Sequence, residues 1–154
     1  MMRAAKLIHP RPFTASRARA ADTAFSTAHA KVIYLLRISL ALIFFWFGML
    51  KLLNISPVAS LLQNSFPFLA QSPYIELLGL GEIIIGAGLI SDRLSGYAAT
   101  LMMLHLLCTL SLVVIAPDSV FAPVFPVLTL EGEFLAKNLV LIVGGLVIIS
   151  AEKR

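Results

Sequence analysis

Cysteine is almost missing from this chain. The single Cys108 rules out an internal disulfide, a CxxC thiol pair and any cysteine-built zinc or iron–sulfur centre within one chain. Charge is scarce too. Asp, Glu, Lys and Arg make up 13% of the 154 residues, about half the roughly 25% of ordinary domains. So little charge excludes a disordered chain and cannot coat a soluble domain. What fills the gap is apolar: hydrophobic residues reach 59% and mean hydropathy is +0.94. The length suits one domain, and the composition points to a bilayer as its solvent.

The net charge of +4 does not indicate nucleic acid, because of where it sits. Residues 1–31 hold six basic groups (Arg3, Lys6, Arg11, Arg17, Arg19, Lys31) and one acid, Asp22; the other 123 residues hold six basic and seven acidic groups. The basic excess precedes an apolar run, which is a topology signal. Residues 1–31 show no strong periodicity and read as a flexible cytoplasmic tail, with a cleavable targeting peptide as the alternative. No Arg-Arg pair marks a twin-arginine signal.

Four apolar runs follow, at about 32–53, 74–90, 95–115 and 134–150. The first is longer than a signal-peptide core, and the runs approach the ~20 residues a bilayer crossing needs. The connections at 55–73 and 116–132 contain no Lys or Arg, whereas the tail, the turn at Arg93 and the C-terminal Lys153-Arg154 hold nine. That asymmetry predicts both termini on the cytoplasmic (or matrix) side. The expected fold is therefore an all-α integral membrane four-helix bundle over residues 32–151. The uncharged stretch Val58–Asn64 reads as a short interfacial segment between the first two helices, or as a plain apolar connector.

Charges inside the runs are costly, so their depth matters. Arg37 is near enough to the inner edge to snorkel to the headgroups. Lys51, Glu76 and Lys137 lie near the outer edge of three runs, as an ion-pair cluster or as three independent snorkelling ends. Glu82 and His105 are deeper. They stand 11 residues before and 12 after Arg93 in the tight turn, so an antiparallel hairpin sets them level. As a facing pair they form a candidate polar site that relays a proton or binds a polar head group; alternatively they only fix packing. Small residues support close helix approach, with Gly79 and Gly86 on one face of the second run and Gly81 and Gly88 on the opposite one. A stripe of Arg37, Ala41, Phe44, Gly48 and Lys51 marks the first run.

Several chemistries lack their residues. Only His105 among three histidines lies in a run, so one chain cannot supply two His ligands to haem. No metal set, phosphate loop or Ser/His/Asp arrangement is present. No catalytic residue can be assigned, and the chain reads as not an enzyme on its own.

The stretch Leu36–Leu53, with Arg-Ile-Ser-Leu-Ala at 37–41, Trp46 and Phe-Gly-Met-Leu-Lys at 47–51, resembles the start of YkgB-like proteins of the DoxX-like group. Gly81-Glu82-Ile83-Ile84-Ile85-Gly86, Thr109-Leu110-Ser111 before Pro117-Asp118, and Lys137-Asn138-Leu139 continue the likeness. The resemblance implies a four-helix protein of the plasma membrane (the bacterial inner membrane) in oxidative or reactive-chlorine stress defence. Its expected partners are the lipid bilayer and a redox enzyme, the quinone pool or a second copy, without nucleic acid. A quinone is the cofactor class it implies; it assigns no catalytic residue. Positionally it points to Arg37, Gly48, Lys51, Glu82 and Lys137. The alternatives are a non-enzymatic scaffold or assembly factor and a proton- or solute-conducting bundle.

Overall fold

The computed structural model describes residues 12–56, 59, 63 and 73–152. The described chain is helical: α1 (Pro12–Leu52), α2 (Tyr74–Ile90), α3 (Ser95–Leu110), α4 (Leu112–Ile115), α5 (Pro117–Val120) and α6 (Leu130–Glu152). Among the described residues no strand forms, apart from an isolated antiparallel bridge between Phe121 and Leu128. Three stretches, Arg19–Leu52, Ser95–Ile115 and Leu130–Glu152, are helices long and apolar enough to cross a membrane. The 17 residues of α2 make a shorter rod, about 25 Å at 1.5 Å per residue.

The first helix starts well before Val32. Residues 12–31 of the stretch expected as a flexible tail are helical and run into the apolar segment as one helix of 41 residues. Alanine recurs through this stretch, neither glycine nor proline interrupts it after Pro12, and Pro12 suits a first helical position. A helix already nucleated in the following segment needs no second nucleus. Residues 19–32 are exposed, so this part projects from the bundle. Its other end closes in a Schellman motif. Asn54 adopts φ 57°, its N–H donates to Lys51 O at 3.1 Å, and Ile55 N–H donates to Leu50 O at 3.0 Å. The expected interfacial segment at 58–64 lies outside the described residues except for Ala59 and Gln63.

Helices α1, α2, α3 and α6 pack as an antiparallel ring in which α1 touches α2 and α6, and α3 touches α2 and α6. The α1–α2 seam depends on missing side chains. A Cβ at Gly48 would meet Gly79 O at 2.5 Å, one at Gly79 would meet Gly48 O at 2.7 Å, and one at Gly86 would meet Ala41 O at 2.9 Å. Backbone therefore rests on backbone at two levels, about two turns apart. At the start of α6, Thr129 Oγ1 accepts the Gly132 N–H at 3.0 Å and donates to Ser119 O at 2.7 Å, capping the helix and tying it to α5.

Some polar groups lie inside, and many apolar ones lie outside. Lys51, Glu82, Ser95 and Asn138 are buried, while Leu42, Trp46, Leu104 and Val140 face outward. Two apolar clusters fill the interior: one around Phe44, Ile85, Leu89, Met102 and Ile148, the other around Ile75, Leu112, Val120 and Leu135. Gly48→Ala should cost about 1–3 kcal/mol, because its methyl group would strike a carbonyl that cannot move alone. Gly81→Ala should be neutral or better, since nothing lies within 4 Å of a Cβ there. Thermal unfolding of both variants in mild detergent measures the contrast.

Candidate functional site: a buried lysine–glutamate–histidine group

Helix α1 delivers Lys51 from its last turn, and α2 delivers Glu82 from the face it shares with Gly79 and Gly86. Gly79 makes their meeting possible. Its missing side chain leaves room for the Lys51 stem, whose Cβ would be only 2.8 Å from a Cβ at Gly79. The lysine thus lies along α2 and ends one turn further on, at Glu82. Its Nζ donates to both carboxylate oxygens, at 2.8 Å to Oε1 and 2.7 Å to Oε2. Both side chains are 6% exposed.

His105, from α3, completes the group. Its Nε2 stands 3.0 Å from Glu82 Oε1, and its ring meets the edge of Phe44 at a centroid distance of 5.9 Å. The histidine side chain keeps 19% of its exposure, so the group has one flank less sealed than the rest. Nε2 is the ring nitrogen nearer the carboxylate, so His105 and Glu82 are placed as an ion pair whenever the ring carries its second proton.

The structure brings together Glu82 and His105, the two residues paired in the sequence reading, and adds Lys51 to them. The expected outer cluster of Lys51, Glu76 and Lys137 is not formed among the described residues. Lys51 turns inward to Glu82, Lys137 is exposed, and Glu76 lies 3.4 Å from the Asn54 side-chain amide. The reason is register: the Gly48–Gly79 contact sets the Lys51 stem on α2 toward Glu82. Arg37 also departs from the snorkelling expectation. Its guanidinium donates to Leu89 O at 2.9 Å and Ile90 O at 3.0 Å, and pairs with Asp92 at 2.9 Å. It satisfies carbonyls that the end of α2 leaves open.

Two polar links were missed by the sequence reading. Ser95 donates to Glu152, joining the start of α3 to the end of α6. Asn138 Nδ2 donates to Thr109 Oγ1 at 3.1 Å, one turn from His105. The antiparallel order of α3 and α6 contained the signal, since both pairs are equally placed about the α3–α6 connection.

No family model, curated protein or solved structure matches this chain. Of the five positions carried by the YkgB-like resemblance, Arg37, Gly48, Lys51 and Glu82 lie on the α1–α2 seam, and Lys137 stands apart. Among the described residues, no three or more His, Cys, Asp or Glu side chains gather as a metal site.

Removing one partner of a buried ion pair leaves the other charge uncompensated, at about 3–5 kcal/mol. Lys51→Met should therefore destabilise strongly, and Lys51→Met with Glu82→Gln should recover most of the loss. A double-mutant cycle of thermal unfolding in detergent measures the coupling.

Proposed function

We propose that this chain is a four-span integral protein of the bacterial inner membrane with both termini in the cytoplasm. In this reading it serves oxidative or reactive-chlorine stress defence as a YkgB/DoxX-like component acting with a redox partner or the quinone pool. The observation that carries the proposal is the Lys51–Glu82–His105 group. Three ionisable side chains meet in an interior that is mainly apolar, and ionisable groups held inside a membrane lean toward function. Lys51 balances the Glu82 charge, Glu82 orients His105, and His105 exchanges a proton or hydrogen bond with a polar head group. The absence of Lys and Arg from the connections 55–73 and 116–132 supports the orientation.

A second reading has its own support. Arg37 on the α2 carbonyls, Ser95 with Glu152 and Asn138 with Thr109 all join helices. On that reading Lys51, Glu82 and His105 do the same, and the protein is a scaffold or assembly factor.

Complementation separates the two. A strain lacking the protein is given the wild-type or the Glu82→Gln gene and challenged with hypochlorite, with membrane abundance measured alongside. The proposed function expects the variant to reach normal abundance and lose protection. Full protection at normal abundance rejects it. Mass spectrometry of material purified in mild detergent checks for the expected redox enzyme or quinone. A phosphatase reporter fused after Arg154 should be inactive, as a cytoplasmic C-terminus requires.

A further inference from the structure

The connection from α5 to α6 divides its apolar residues between two environments. Val120 is buried, and Phe121 packs on the second apolar cluster. Beyond them the chain doubles back as a closed loop. Phe121 bridges Leu128, the Ala122 N–H donates to Val127 O at 3.0 Å, and the Val127 N–H donates to Val124 O at 3.0 Å. The rings of Phe121 and Phe125 meet edge to face at a centroid distance of 5.2 Å. Thr129 fastens the base of the loop to α5 and α6. The tip is uncovered: Val124 is 66% exposed, Phe125 75% and Val127 51%. No charged residue lies between Asp118 and Glu131. The level of the loop follows from the two stretches that it joins. Ser95–Ile115 and Leu130–Glu152 are linked at one end by the hydrogen bond of Ser95 to Glu152, and they have 21 and 23 residues. At 1.5 Å per residue both are about 30–35 Å long, close to the ~30 Å of bilayer hydrocarbon. Their other ends, Ile115 and Leu130, therefore emerge at the opposite boundary, and the loop lies there.

We propose that the loop from Phe121 to Leu128 is an interfacial anchor, with Val124, Phe125 and Val127 seated in the outer leaflet where headgroups meet acyl chains. This rests on the membrane reading given above and adds a lipid contact outside the spans. Three observations favour lipid over a protein partner. A protein interface surrounds its apolar centre with a polar rim. Here the residues flanking the loop, Val114, Ile115 and Leu130, are exposed and apolar as well, so the tip continues the outward apolar surface of the bundle. The loop carries no charge to hold it in water or to match a charged partner. Its backbone is also poor in free donors, and free donors are what keep most loops out of a bilayer. Pro123 and Pro126 have no N–H. The N–H groups of Phe121, Ala122, Val127 and Thr129 donate to Pro117, Val127, Val124 and Val120 carbonyls. The remaining peptide groups find partners among headgroups and water, which fits the boundary and not the hydrocarbon centre. Apolar side chains at that depth hold an element to the surface in proportion to the area they bury.

The test is tryptophan fluorescence of the full chain in vesicles of phosphatidylcholine and phosphatidylglycerol, with acyl chains brominated near the headgroup or near the chain end. Trp46 is the only tryptophan and is exposed on α1. It stands nine residues beyond Arg37, about 14 Å along the helix, so bromine near the chain end should quench it most. The double variant Trp46→Phe, Phe125→Trp reports on the loop alone. Its emission should be quenched most by bromine near the headgroup and should resist iodide in the water. Val124→Trp replaces Phe125→Trp should the latter fail to fold. Loop emission that iodide quenches and brominated lipid does not overturns the anchor and leaves a water-facing surface open to a soluble partner. Loop emission that neither reagent quenches places protein over the tip, such as a second copy, and also overturns it. Stronger quenching by bromine near the chain end overturns the boundary position. In those three cases quenching of Trp46 by lipid keeps the membrane reading standing. Loss of Trp46 quenching overturns that reading, and the anchor with it.

Discussion

The ion pair between Lys51 and Glu82 is the constraint on which the α1–α2 interface turns. Two opposite charges removed from water must stay together, because either alone in the interior is strongly unfavourable. Their contact fixes how far α1 can slide along α2. That register aligns Gly48 with Gly79 and Ala41 with Gly86, so the helices meet at close range. It also sets Arg37 opposite the open carbonyls at the end of α2. The glycines and the charges thus depend on one another: without Gly79 the lysine stem has no bed, and without the ion pair the glycine contact has competing registers.

The apolar exterior fits the same picture. In hydrocarbon, apolar side chains gain little by packing inward, so close backbone contact and internal hydrogen bonds help hold helices together. The buried set accordingly includes glycine, alanine, serine, asparagine and one charged pair beside the leucines and isoleucines of the two clusters, while further leucines, valines and isoleucines cover the outside. Thr109 and Asn138 extend the polar layer by one turn beyond His105.

Much of this was legible in the sequence, for identifiable reasons. The hairpin from Tyr74 to Leu110 turns through only four residues, so counting outward from Arg93 was enough to set Glu82 level with His105. The glycine pair Gly79 and Gly86 announced a close helix contact by its heptad spacing. The partner of Lys51 was not legible, because the long connection before α2 leaves the register of α1 open. Depth alone placed Lys51 with Glu76, whereas the lysine stem spans a helical turn and carries its charge away from its own backbone level. The helical start at Pro12 escaped for another reason. Periodicity reports burial of one face, and residues 19–32, exposed all round, have none to report.

That exposed start gives α1 a mechanical property. Arg19 is 18 residues before Arg37, which places it about 27 Å along the same unbroken rod. A tilt of 5° where α1 crosses α2 would swing that end by roughly 2 Å over such an arm. The projecting helix is therefore a lever: any tilt at the seam moves its far end further than it moves the seam itself.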